Sequence, residues 1–289
     1  MKKIGLFLVA FTLFFTACKD EDTNPTGMLT VDISGLEDLG PDAIYEGWMI
    51  VDGAPVTTGT FTVDANGNMS TTTFTVNAKG LKDATRFVLT IEPQPDPSPS
   101  PSAVHIVAGD FSDDNASLTI GHGSALGSDF SSAAGKYILA TPTDTSSSNE
   151  ESGIWFLDNS SGSPAVGLSL PVLPNGWKYE GWTVINGTPV STGTFTSVNM
   201  ADEGAPFSGT MSGPPFPGED FLNNAPSGLT FPTDIRGGKA VISIEPNPDN
   251  SPMPFVLKPL VGDIDANAAT HTALDMGQNL SFPTGSASR

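Results

Sequence analysis

Two short stretches place a carboxylate two residues ahead of a tryptophan: Tyr45-Glu46-Gly47-Trp48 and Tyr179-Glu180-Gly181-Trp182. On an extended backbone, residues two apart share a face. Glu46 therefore lies beside Trp48, and Glu180 beside Trp182. An acid next to an indole face is what a sugar site would want. The same pairing also suits an edge-strand carboxylate held by neighbouring donors. On the first reading, Tyr45, Glu46, Trp48, Tyr179, Glu180 and Trp182 are candidate binding residues. A second pattern, Asp263-x-Asp265-x-Asn267, alternates oxygen ligands as a Ca²⁺ loop does at its start, and Asp110-x-Ser112-x-Asp114 mirrors it loosely. Ala268 stands where the sharp-turn glycine belongs, and Leu274 where a bidentate glutamate belongs. A solvated turn with Asx capping is the competing reading. His105, His122 and His271 have no metal-ligand spacing with one another. There is no Gly-x-Ser-x-Gly nucleophile turn and no phosphate loop. The expectation is a protein that is not an enzyme and carries no cofactor, with Ca²⁺ as the single cation to consider.

The residue that fixes the setting is Cys18, the only cysteine of 289 residues. Met1-Lys2-Lys3 precedes an apolar run from Ile4 to Phe15, too short for a permanent membrane span and of signal-peptide length. The run ends Thr16-Ala17-Cys18, which resembles the bacterial lipobox. A thiol there would carry diacylglycerol, and palmitate-type chains anchor through about 0.8 kcal/mol per buried methylene. One cysteine gives no disulfide framework, so burial alone must hold the fold. Lys19-Asp20-Glu21-Asp22 is similar to the signal that displays some lipoproteins on the outer membrane, and equally to a plain acidic tether. The expected location is the outer membrane, lipid-anchored, on its periplasmic or cell-surface face. A net charge of −20 repels nucleic acid and anionic headgroups. Membrane contact is then through the anchor, and the partner is an envelope protein or a glycan.

The elements that must position these residues are strands. Gly, Pro, Ser and Thr abound, helical periodicity is missing, and short β-branched or aromatic runs alternate with turn residues, which argues an all-β sandwich or barrel. The chain also repeats itself. Of the eighteen residues from Tyr45 to Thr62, twelve recur unchanged from Tyr179 to Thr196. Asp52-Gly53 and Asn186-Gly187 suit a two-residue hairpin turn with positive φ at both positions. A second block, Phe87 to Pro93, answers Ala240 to Pro246, and each is stopped by proline. Each is followed by a Pro-rich loop, another strand, and Gly-Asp at 109–110 and 262–263. Between the blocks, copy two gains 19 residues in the Gly/Pro-rich stretch from Phe207 to Gly228. Phe207, Phe216 and Phe221 there either meet a partner or fold back on their own sandwich. Tyr137–Thr141 and Ile154–Leu157 make a hairpin that leads copy two, with no counterpart before Met28.

These motifs resemble the extracytoplasmic C-terminal domain of anti-sigma-K factors of the RskA type, copy two more fully (from about Tyr137) than copy one (from about Val31). The resemblance implies a domain type and a role in envelope signal perception. That family joins its outer domain to a transmembrane helix and a cytoplasmic helical domain that holds the sigma factor. Residues after Cys18 would all lie outside the cytoplasm, so no direct sigma-factor contact is expected. The expected organisation is two tandem Ig-like β-sandwich repeats: signal peptide 1–17, anchor and tether 18–27, repeat one 28–124, linker 125–136, and repeat two 137–289.

Overall fold

A computed structural model describes residues 25–249 and 251–289. The expected leader, Cys18 and most of the tether lie outside the described residues. The tether's end does not stay free, because Thr26 and Gly27 already belong to the first strand. Copy one runs β1 (Thr26–Ser34), β2 (Ala43–Val51), β3 (Ala54–Phe61), β4 (Thr73–Asn77), α1 (Ala78–Asp83), β5 (Arg86–Pro93), β6 (His105–Ser112) and β7 (Asn115–Thr119). There follow β8 (Ala134–Leu139), β9 (Gly153–Trp155), the short β10 (Leu157–Asp158), β11 (Ala165–Val166) and β12 (Leu168–Ser169), β13 (Trp177–Ile185), β14 (Thr188–Phe195) and β15 (Gly218–Asp220). The chain ends with β16 (Lys239–Pro246), β17 (Leu260–Asp263), β18 (Leu274–Gln278) and β19 (Thr284–Ser288).

The expected all-β class holds. The first large sheet has the order β3-β2-β5-β6-β7-β19-β1-β4, and the second β14-β13-β16-β17-β18-β8-β9-β15, with β12 attached to β8. The first sheet curls until its edges meet, with Phe61 of β3 lying 6.1 Å from Phe74 of β4. In β1 the alternation is clean: Leu29, Val31 and Ile33 face the core, and their neighbours face water.

Matching the two orders place by place exposes an exchange. The site that β8 fills in the second sheet is filled in the first by β19, the last strand described. Ala287 pairs with Ala116 of β7 on one side and with Val31 of β1 on the other. So copy one does have a counterpart of the leading strand, delivered from residues 284–288. The division at 137 does not hold for this strand, since residues from both ends of the chain build the first sheet. Arg289 then fixes the end: its guanidinium donates to the carbonyls of Leu81 and Ala84 at 2.8 Å and of Asp113 at 2.7 Å, and lies 4.5 Å over the Phe111 ring.

The expected linker at 125–136 is also packed. Leu126, Phe130 and Ala133 join the core, Ala125 covers Trp48, and Phe130 meets Phe282 at 5.6 Å. Its Gly, Ser and Asp residues make turns, and its few apolar residues are turned inward.

The hairpins form as expected. Asp52 and Gly53 sit at φ 52° and 80°, and Asn186 and Gly187 at 51° and 83°. Each hairpin also carries a bulge beside its Gly-Trp pair, between Gly47 and Trp48 and between Gly181 and Trp182. The extra residue, Thr58 or Thr192, sits so close that a Cβ on Gly47 would lie 2.4 Å from Thr58 Oγ1, and one on Gly181 2.3 Å from Thr192 Oγ1. The same added carbon on Gly181 would also lie 2.6 Å from the Phe156 ring. Gly181→Ala should therefore lower unfolding free energy by about 1–3 kcal/mol, the scale of overpacking a filled core. Gly123→Ala, where nothing lies within 4 Å of the added carbon, should leave it within about 0.5 kcal/mol. Urea denaturation of the two variants checks this.

Candidate functional site

The repeated Tyr, Glu and Trp residues come together in space, but as internal ties. Tyr45 stacks on Phe61 at 5.4 Å and donates to the Glu37 carbonyl at 3.0 Å. Tyr179 stacks on Phe195 at 5.6 Å and donates to the Pro171 carbonyl at 2.7 Å. Trp48 and Trp182 are 3 % and 2 % exposed. Neither offers a ring face to solvent, so the platform expected for a sugar is not there. Alternation puts the two faces of the strand where sequence placed them, but both faces are covered.

Each tryptophan instead starts a relay of hydrogen bonds. In copy one, Trp48 Nε1 donates to Thr90 Oγ1 at 2.9 Å, Thr90 donates to Glu92, and Glu92 accepts the Ser102 N–H at 2.9 and 3.1 Å. In copy two, Trp182 Nε1 donates to Ser243 Oγ at 2.8 Å, Ser243 to Glu245, and Glu245 accepts the Phe255 N–H at 2.9 and 3.2 Å. Buried polar groups need partners, and this relay supplies them while tying the Pro-rich loop to the sheet. Glu46 and Glu180 accept from Thr57 and Ser191 on the return strand. The glutamate of Ile-Glu-Pro is therefore the residue that sequence reading passed over; its recurrence four residues before an Asp was the available signal.

Burial pushes Glu180 up to about 7 and Glu245 up to about 8, against the serine hydrogen bonds that favour their charged forms. Glu46, closer to solvent, is raised by the same cause. Glu180, Glu245 and Asp249 bring one carboxylate oxygen each within 4.8 Å of the others.

The expected Ca²⁺ loop is otherwise engaged. Asp263 pairs with Lys239 across the strand, at the register where Asp110 meets Arg86 in copy one at 2.7 Å. Asp265 accepts the Asn267 N–H at 2.7 Å in an Asx turn, and the Ala268 N–H closes on its carbonyl at 3.0 Å. The Gly-Asp of each copy is thus half of a cross-strand ion pair. The histidines scatter: His105 Nδ1 lies 2.9 Å from the Ser124 carbonyl, His122 3.5 Å from Asp110, and His271 3.3 Å from Glu150.

Copy two carries a second cluster with no match in copy one. Its extra residues fold back: Phe221 is fully buried, Phe216 nearly so, and Phe207, Phe221 and Phe231 form a ring cluster at 5.4–6.1 Å. Beneath them, β15 presents Glu219 and Asp220, both without exposure. Asp220 accepts Trp155 Nε1 at 2.7 Å, the Thr143 N–H at 2.8 Å and the Thr143 hydroxyl. Glu219 accepts the Ser208 hydroxyl and the Asp220 N–H at 2.9 Å. Asp202 accepts the Gly218 N–H at 3.0 Å. Above this floor opens a cleft of about 430 Å³, lined by Thr143, Trp155, Asp202, Ser208, Met211 and Pro214 among others. Met211 on this segment stays 50 % exposed, and Met200, shortly before it, 62 %. The phenylalanines stand out in the sequence and take the second of their two expected courses, folding back on their own sandwich, whereas Asp202, Glu219 and Asp220 have no repeat to mark them.

These folds and sites define an all-β tandem module with two copies of one polar relay and one elaborated loop. The family model for the C-terminal part of anti-sigma-K factor rskA matches residues 21–104, which is most of copy one. The match falls on the copy that sequence reading held to be the less complete of the two. No curated protein and no solved structure matches the chain.

Burial raises Asp202 to about 8 and Glu219 to about 7. A carboxyl raised in the folded state holds its proton there after the unfolded chain has lost it. Stability should thus be greatest near pH 4–5 and decline as pH climbs to about 8. Asp202→Asn keeps the Gly218 hydrogen bond and should flatten part of that decline. Melting temperatures measured from pH 5 to 8.5 for both proteins check it; an equal slope in the variant would contradict the assignment.

Proposed function

We propose that this chain is a non-enzymatic, lipid-anchored envelope module that binds or senses a partner through its outer β-domain, in the manner of the outer part of an anti-sigma factor. The similarity of residues 21–104 to that family supports the domain type. Among the described residues no helix is long and apolar enough to cross a membrane, and in this reading Cys18 supplies the anchor at the outer membrane. With every residue after Cys18 outside the cytoplasm, any effect on a sigma factor passes through another envelope protein.

The observation that carries the binding role is the asymmetry between the copies. The repeated polar residues are held inside both sheets, whereas copy two alone has a long segment, held from below by Glu219 and Asp220, that leaves Met211 in the open on a cleft, with Met200 exposed in the stretch just before it. Methionine adapts to irregular partner surfaces, and an envelope protein is the partner this favours. A glycan reading keeps less support, since Trp48 and Trp182 are enclosed.

The test is a cell in which the native gene is replaced by Met200→Glu/Met211→Glu, two exposed changes that should leave folding within about 0.5 kcal/mol. Envelope-stress transcription should shift as it does in a deletion strain, while the protein stays at wild-type level in the outer-membrane fraction. Normal transcription in both strains would count against the reading.

A further inference from the structure

The acids Glu180, Glu245 and Asp249 converge from three places: β13, the end of β16, and the loop that follows it. Glu180 is 6 % exposed and Glu245 1 %, whereas Asp249 is partly open to solvent. Ser191 donates to Glu180 Oε1, and Ser243 and the Phe255 N–H serve Glu245. Glu180 Oε2 is different: it is buried and has no hydrogen-bond partner. A buried carboxyl oxygen with no donor, on a side chain gathered with two more carboxyls, is relieved either by a proton or by a bound cation. Lys258 stands near Glu245 and Glu37, but its Nζ donates to the Phe255 carbonyl at 2.6 Å.

We propose that Glu180, Glu245 and Asp249 bind a divalent cation, Ca²⁺ in preference to Mg²⁺. The donors are all carboxylate oxygens, the ligand type of hard cations, with no imidazole or thiolate among them. Ca²⁺ accepts an irregular set of carboxylate oxygens, whereas Mg²⁺ demands a near-ideal octahedron and gives up its waters reluctantly, so three carboxylates gathered from separate elements favour Ca²⁺. Asp249 sits on the open side, where water completes the coordination. The cation would engage the oxygen that no donor reaches. Copy one repeats the residue types: Glu46, Glu92 and Asp96 stand at the same motif positions, with Glu92 and Asp96 four residues apart like Glu245 and Asp249. Glu46 is the more exposed of the two leading acids, which makes copy two the stronger site. This site is separate from Asp263-Asp265-Asn267 and does not depend on the partner proposed above.

Calcium titration of the purified full chain in detergent by calorimetry, with melting curves alongside, tests the site. Saturable uptake with a dissociation constant of about 0.1–1 mM is expected, the range of extracellular modules, with a rise in melting temperature. Asp249→Asn, on the open loop, and Glu180→Gln, which keeps the Ser191 bond, should each weaken binding at least tenfold. Asp263→Asn should leave binding unchanged. No heat and no melting shift up to about 10 mM Ca²⁺ would overturn the proposal. So would wild-type affinity in Asp249→Asn, or tighter binding of Mg²⁺ than of Ca²⁺.

Discussion

The first sheet depends on a strand from the far end of the chain. Between β7 and β1 runs Thr284–Ser288, paired on both sides over five residues. Without it, the backbone donors and acceptors of both neighbours face a gap, and Ala287, Ala116 and Val31 lose their shared core contact. Each such hydrogen bond adds only about 0.5–1.5 kcal/mol net, but losing both ladders together removes more than a domain's usual margin of about 5–15 kcal/mol can absorb easily. The corresponding place in the second sheet is taken by β8, which follows copy one in the chain. Each copy thus ends with a strand that the other sheet holds. Two sequence repeats become one structural unit.

Within that frame, the most conspicuous residues are polar groups tying sheet to loop. The Trp-hydroxyl-Glu relay runs from β2 or β13 through β5 or β16 to the N–H of Ser102 or Phe255. It explains why Glu-Gly-Trp and Ile-Glu-Pro recur together: one supplies the indole and the bulge, the other the carboxylate. Because both relays are buried, they set the position of the Pro-rich loops. In copy two, that loop delivers Asp249 to Glu180 and Glu245. The ring cluster of Phe207, Phe221 and Phe231 does the same work for the long segment, seating it over Glu219 and Asp220.

Local features were legible in the sequence and distant ones were not. Asp52-Gly53 and Asn186-Gly187 announce their turns, because only a few residue types accept positive φ there. The hairpin of Tyr137–Thr141 with Ile154–Leu157 was readable from its apolar runs, and Ile138 does face Trp155. Thr284–Ser288 was not, because Thr-Gly-Ser-Ala-Ser has one buried apolar side chain and its partners lie more than 160 residues away. Alternation placed Trp48 correctly opposite Tyr45. It could not show that Ala125, in a segment with linker composition, closes over the indole. Nor could it show that Trp155 serves Asp220, since copy one has no such pair to compare.

The exchange is tested most directly by supplying the strand separately. Residues 25–133 are produced alone, and a peptide of residues 279–289 is then added while amide chemical-shift dispersion and hydrogen exchange are followed. The fragment alone should stay largely unprotected. The peptide should bind it and bring protection to β1 and β7, and a peptide with Ala287→Asp should do neither. A fragment that folds and protects these strands unaided would contradict the account.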